Sequence, residues 1–271
     1  MSNHSFFRIM TPLSYRFFVV FHHEITPTYY HESIIEHCVF VNVNPANKSK
    51  YPCIKTINLF DFEHFTPLGK WYTESEVIYN VFKNPTLWND VDFIGFLQYD
   101  VDSSALRHQT LLNILQTTEG IIFNPHTFEQ DYHQKILMDE SRPNLLQGKG
   151  INCYDVLFED FNRAYDTHHK PQDWLENTIG LCSCFVVKKS IFENLMAFIS
   201  PIIESKKLDK FDTQHQHRIQ GGFLERYYAV WFLLKGLSLF SFSLPHEYAE
   251  TQKQNTFFKR FVRRWKRFVS Y

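Results

Sequence analysis

Ile94 to Asp102 reads Ile-Gly-Phe-Leu-Gln-Tyr-Asp-Val-Asp, an apolar run that ends in two carboxylates one residue apart. Val91, Phe93, Ile94, Phe96 and Leu97 supply the bulk of a strand buried on both faces, and Asp100 and Asp102 fall where that strand ends. In an extended backbone alternate side chains point the same way, so both carboxylates can reach one hard divalent cation, which could in turn hold a diphosphate. An Asp-x-Asp is also an ordinary solvated turn, so its context has to decide. Two other segments supply context. In Arg218-Ile219-Gln220-Gly221-Gly222-Phe223-Leu224-Glu225-Arg226, a Gly-Gly turn runs into an apolar helix with Glu225 in its first turn. Taken alone, Glu225 complements the helix dipole or pairs with Arg226. In Leu244-Pro245-His246-Glu247 a histidine follows the last predicted strand, as a surface or packing residue or as a ligand.

The elements that must position these residues alternate between strand and helix. Tyr15 to His22, Cys38 to Asn42 and Ile54 to Asn58 read as the first strands. A helix over Thr73 to Asn84 is ended by Pro85 and leads into the aspartate strand. A helix at Leu106 to Thr117 and a strand at Gly120 to Asn124 follow. Pro125 to Pro171 reads as polar and irregular, apart from a helix near Tyr154 to Tyr165. Cys182 to Val187 is a strand, Ser190 to Ser200 and Gly222 to Leu234 are helices, and Leu237 to Leu244 is the last strand. This alternation predicts an α/β fold with a mostly parallel central sheet and helices on both faces, in which ligands bind beyond the carboxyl ends of the strands.

The 271 residues, 44% hydrophobic and 21% charged, suit one large domain, and no Gly/Ser/Pro linker divides them. Five cysteines with no C-x-x-C spacing suggest neither a disulfide framework nor a zinc site, which favours a reducing compartment. No apolar stretch approaches the ~20 residues of a membrane span, and the expectation is a cytoplasmic protein. Net charge is -1, yet residues 257 to 271 hold Lys259, Arg260, Arg263, Arg264, Lys266 and Arg267 and no acid. Phe257, Phe258, Phe261, Val262, Trp265, Phe268 and Val269 recur there at helical spacing. Residues 251–271 therefore read as a basic amphipathic tail, which either lies on an anionic membrane surface or packs on its own domain. A nucleic-acid arm is not expected, because the rest of the chain is acidic.

An Asp-x-Asp after a central strand, a Glu near the start of a late helix and a His after the final strand resemble the order found in nucleotide-sugar glycosyltransferases of the GT-A fold. Thr66 to Ser75, followed by Ile78-Tyr79-Asn80 and Lys83-Asn84, is similar to the short glycosyltransferases of capsular polysaccharide and lipopolysaccharide loci. Similarity also extends over Ile179 to Phe192 and Gly221 to Trp231. The resemblance implies a GT-A-like catalytic domain over residues 1–250 that transfers a sugar from a nucleotide-sugar donor to a glycan or lipid-linked acceptor. It implies that Asp102 coordinates Mn²⁺ or Mg²⁺, with Asp100 contacting the metal through water or holding the donor ribose, and His246 as a further ligand. Glu225 would be the general base of an inverting transfer. Arg218 and Arg226 would contact phosphate or sugar, and the nucleotide would lie near His22, His23 and Glu24, with Lys70 and Glu74 across the cleft.

Two other readings stay open. A metal-dependent phosphoesterase could use the same aspartates, although His168-His169 and His215-Gln216-His217 lack matching acidic ligands at fixed spacing. A non-catalytic homologue could bind saccharide alone.

Overall fold

Tyr15–Phe21 forms β1, a strand whose side chains are apolar on both sides. Phe18 and Val20 enter one core while Tyr15, Phe17, Val19 and Phe21 enter the other, the signature of a strand covered on both faces. The computed structural model describes residues 13–47, 51, 54–69, 71–133, 145–146, 151–211 and 219–245. After β1 come α1 (Glu32–Ile35), β2 (Cys38–Asn42), β3 (Thr56–Asn58), α2 (Glu74–Lys83), β4 (Phe93–Gln98), α3 (His108–Thr117) and β5 (Gly120–Phe123). Next are β6 (Pro125–Thr127), α4 (Phe128–His133), β7 (Leu145–Leu146), β8 (Ile151–Asn152), α5 (Cys153–Tyr165) and β9 (Thr178–Gly180). The described chain closes with β10 (Phe185–Lys188), α6 (Lys189–Glu204), α7 (Ile219–Leu234) and β11 (Leu239–Phe242).

Among the described residues the central sheet has seven strands in the order β11-β5-β10-β4-β1-β2-β3. Every neighbouring pair is parallel except those of β10, which runs antiparallel to both β4 and β5. The expected mostly parallel α/β sheet is therefore present. Residues of α2, α5, α6 and α7 fill the core on one face, and α1 and α3 cover the other. Reversal of β10 matters for the site: its amino end arrives at the edge where β1, β4 and β5 end.

Several expected boundaries differ, each for a physical reason. β4 stops at Gln98, because Val101 N–H donates to Gln98 O at 3.2 Å and closes a turn through Tyr99 and Asp100. Asp100 thus sits in a bend and Asp102 just beyond it, rather than both continuing one extended strand, and strand alternation does not set their directions. The strand expected from Cys182 begins at Phe185, since Cys182 and Ser183 hold the left-handed φ values 65° and 52°. Gly221 and Gly222 lie inside α7, which already runs at Ile219, so they form no turn ahead of it. At the start of the segment read as irregular, β6 forms and pairs antiparallel with β9, which lies beyond that segment, Pro125 opposite Gly180.

The described cysteines, Cys38, Cys153, Cys182 and Cys184, are free. Among the described residues no helix is long and apolar enough to cross a membrane. Lys70, Arg218, His246 and the tail from 251 to 271 lie outside the described residues.

Candidate active site

At the carboxyl edge of the sheet, the ends of β1 and β4 lie side by side. Tyr99 N–H donates to Val20 O at 3.1 Å, carrying the strand pairing one residue past β4. The Tyr99 ring then meets His22 edge-on at 5.0 Å and His23 at 6.2 Å, while the two imidazoles lie 4.2 Å apart. Both histidines are exposed. Their backbone is fixed from β2's side, where Asn44 Nδ2 donates to His22 O and Asn47 Nδ2 to His23 O, each at 3.1 Å. The two exposed imidazoles and the half-buried Tyr99 ring thus form an aromatic ledge on a held backbone at the end of β1.

Beyond the bend, Asp102 Oδ1 accepts from Ser104 N–H at 2.9 Å, and Asp102 N–H donates to Pro245 O at 2.9 Å. The chain after β11 therefore comes back to the aspartate loop immediately before position 246. The donor set fits a hard divalent cation in kind: two carboxylates on one short loop, the second oxygen of Asp102 being the one such an ion would take. Among the described residues no group of three His, Cys, Asp or Glu side chains converges at metal spacing.

Glu225 projects from α7 toward the same edge, its side chain 23% exposed. The Cys182 N–H donates to Glu225 Oε1 at 2.5 Å, and Gln98 Nε2 donates to Cys182 O at 2.9 Å. One residue, Cys182, in a left-handed loop, thus joins the end of β4 to the α7 carboxylate through its C=O and its N–H. Nothing in the side chains of Leu-Cys-Ser-Cys signals this, because the functional group is a backbone N–H. Burial pushes the Glu225 carboxyl up from its ordinary pKa; Arg226 and the Cys182 N–H pull it down, and the negative charges of Asp131 and Glu74 push it up again. A carboxylate raised in this way is a stronger proton acceptor.

Arg226, the next residue, stands with Nη1 3.6 Å from Glu225 Oε2 but makes its stronger bonds elsewhere. It is 7% exposed and grips Asp131 with two bonds, Nε to Oδ2 at 2.9 Å and Nη2 to Oδ1 at 3.2 Å. The Tyr154 hydroxyl also donates to Asp131 Oδ2. This pairing holds α7 to α4 and α5, so the expectation that Arg226 contacts phosphate or sugar gives way to a structural role.

Glu74 approaches from the start of α2. The segment before it is stapled to that helix turn by turn. Asn84 holds His64 N–H and C=O, Asn80 holds Thr66 N–H and C=O, and Glu76 Oε1 accepts from Leu68 N–H and Gly69 N–H. The Asn80 and Asn84 of the sequence resemblance are thus backbone clamps. The chain then meets α7, with Gly221 N–H donating to Trp71 O at 2.9 Å. A Cβ on Gly221 would fall 2.3 Å from Thr73 Oγ1, so only glycine admits this approach. Glu74 consequently lies within electrostatic reach of Glu225 and Cys182, on the α7 side of the cleft.

No family model matches the chain, and no curated protein matches it. Among solved structures it is similar to the apo structure of WbbM, a bifunctional glycosyltransferase, with a TM-score of 0.58 and 13% identity over 85% of this chain and 44% of that one. The chain spans under half the length of that protein. A glucosyl-3-phosphoglycerate synthase from Mycobacterium tuberculosis, solved with Mn²⁺, uridine diphosphate and phosphoglyceric acid, aligns over 86% of this chain and 70% of that one at a TM-score of 0.41 and 9% identity. The fold is GT-A-like, as the sequence resemblance implies.

Proposed function

We propose that the chain is a nucleotide-sugar-dependent glycosyltransferase that works by inversion. The observation that carries this reading is the Cys182 backbone, whose C=O and N–H tie the strand leading to Asp100 and Asp102 to the raised carboxylate of Glu225 at the carboxyl edge of a GT-A-like sheet. In this reading Asp100 and Asp102, with His246, hold Mn²⁺ or Mg²⁺. A bound cation neutralises charge on the departing nucleoside diphosphate. His22 and Tyr99 present the ledge for the base of the nucleotide, with Lys70 and Arg218 as candidate phosphate contacts. Glu225 Oε takes the proton of an acceptor hydroxyl while that oxygen bonds to the anomeric carbon. The bond to the diphosphate breaks on the opposite side, and its electron pair leaves with the nucleotide. One base and one displacement invert the anomeric centre.

The donor is found by thermal shift of the chain with UDP-, GDP-, CMP- and dTDP-sugars, with Mn²⁺ or with EDTA, since a ligand that binds only the folded state raises its melting temperature. We expect one nucleotide class to stabilise in a metal-dependent way that Asp102→Ala abolishes. Stabilisation by none of them would remove the reading, and stabilisation indifferent to EDTA would remove the metal.

The acceptor in this proposal is a glycan or a lipid-linked saccharide of surface polysaccharide synthesis, met at the cytoplasmic face of a membrane. Its support is the tail, where each cation near an anionic surface contributes on the order of 1 kcal/mol. Deleting residues 257 to 271 is expected to release the protein from anionic liposomes in co-sedimentation at low salt. Equal sedimentation of both forms would show that the tail is not the anchor.

A further inference from the structure

We infer that the cavity lined by Gln220 at the start of α7 is a subsite for a neutral sugar unit of the acceptor, other than the unit that reacts. This rests on the reading of the chain as a glycosyltransferase and adds a place where its acceptor is held.

A buried polar atom without a partner is the first support. Gln220 is 3% exposed, and its Oε1 is buried with no hydrogen-bond partner among the described residues. Asp209 fixes which way the amide faces: its Oδ1 stands 3.5 Å from Gln220 Nε2, and a turned amide would set oxygen against carboxylate. A buried carbonyl oxygen with no donor is unfavourable, so it calls for a water or a ligand. Gln220 lines a cavity of about 390 Å³ between the stretch before α2, α2 itself, the end of α6 and the start of α7. One water needs only about 15 Å³, whereas this space is that of a small-ligand site.

The chemistry of the walls is the second support. The Tyr72 hydroxyl donates to Asp209 Oδ1 at 3.2 Å, and the Tyr79 hydroxyl donates to Glu204 Oε1 at 2.7 Å. Burial, together with these carboxylates, pushes the pKa of both phenols up, so they remain donors. Their protons are thus spent inside the wall, and Gln220, Asp209 and Glu204 bring acceptor oxygens to the cavity. Its ligand must supply the donors. Lys206 is the cation of the lining against two carboxylates, which disfavours an anion, and Leu68 and Trp71 stand half-buried in the same wall. Hydroxyl donors around a ring with apolar C–H faces are what a neutral pyranose offers.

Position separates this sugar from the reacting one. Gln220 precedes Glu225 by five residues on α7, which is about 7.5 Å along the axis and roughly 140° around it. A sugar bonded to Gln220 therefore does not face Glu225, and the subsite suits a further unit of a longer acceptor.

The test is binding, read without transfer. Saturation-transfer NMR on the full chain, in EDTA and without nucleotide sugar, titrates the methyl glycosides of glucose, galactose and mannose, with glucuronic acid as the anionic control. At least one neutral glycoside is expected to bind, and glucuronic acid is not. Gln220→Met keeps the length of the side chain and removes the unpartnered oxygen. It should weaken binding about tenfold while the melting temperature holds or rises, because the free protein loses only a 3.5 Å contact. Asp209→Asn, at the exposed rim, should weaken binding in the same direction. Glu225→Gln should bind as wild type does, so failure of the base assignment or of the donor screen leaves this result standing. Binding of none of the neutral glycosides, or equal binding by wild type, Gln220→Met and Asp209→Asn, would mean that water satisfies Gln220 and overturns the inference. So would a Gln220→Met variant less stable than wild type, equal binding of glucuronic acid, or loss of binding in Glu225→Gln.

Discussion

Glu225 and Arg226 are neighbours on α7, yet their charges are treated in opposite ways. Arg226 is closed off by Asp131 and Tyr154 in a buried, hydrogen-bonded cluster. Glu225 accepts one backbone N–H and stands 3.6 Å from Arg226 Nη1, with burial and two further acids pressing its proton affinity upward. The difference is instructive. Because Asp131 takes the two strong bonds of Arg226, the guanidinium next door lowers the proton affinity of Glu225 without offsetting burial, and one helical turn carries both a charge that holds the fold and a raised carboxyl.

The comparison breaks most severely at Asp131. Asp131→Ala strands a buried guanidinium, so urea denaturation should show a loss of about 3–5 kcal/mol. Arg226 would then turn its charge on Glu225 and move the acidic limb of the pH–rate profile downward. A smaller loss, near that of a surface pair, would mean that the cluster is not what joins α7 to α4.

Glu225→Gln should show the reverse pattern. The chemical step should fall by roughly 10² or more, about 2.7 kcal/mol of barrier, while the melting temperature holds or rises. The sign follows from the raised pKa: stability contributed by the protonated carboxyl is fully present below its unfolded value and is lost as pH rises through the folded value. The wild type should therefore lose ground to the variant between acid and neutral pH. A variant less stable than wild type at pH 7 would show that the group is structural.

Gly221→Ala presses a methyl onto Thr73 Oγ1 and the Tyr72 carbonyl, and overpacking of this kind costs about 1–3 kcal/mol. The smallest effect is expected from Thr73→Gly, which relieves an unfavourable φ and should stabilise by up to about 1 kcal/mol. Destabilisation by that change would place the value of Thr73 in its side-chain contact with Gly221 rather than in its backbone.

Strands and helices with strong periodicity were legible from residue order: Cys38 to Asn42 matches β2 end for end, and Thr73 to Asn84 brackets α2. These segments bury both faces or one stripe, so composition and structure coincide. The bend at Tyr99 and Asp100 was not legible, because Asp after an apolar run suits either an extended end or a turn. Asp131 gave no sign of its partner, which lies 95 residues away. Cys182 and Ser183 hid their left-handed backbone, since neither is a residue that favours it. At the candidate site, Asp100, Asp102 and Glu225 could be picked out as side chains with chemistry; the Cys182 backbone that links Gln98 to Glu225 could not.

The reversed strand β10 has a consequence for the order in which the molecule can be made. β5 pairs within the central sheet with β10 and β11, both of which leave the ribosome after it. Until residues 185 to 188 emerge and slide between β4 and β5, the first half of the sheet has an open edge at β4 and β5 has no place in it. The same insertion brings Cys182 to Gln98, and α7 follows later still. A growing chain thus acquires its proposed nucleotide ledge early, whereas Arg218, the proposed base Glu225 and His246 all arrive only after β10 has been made.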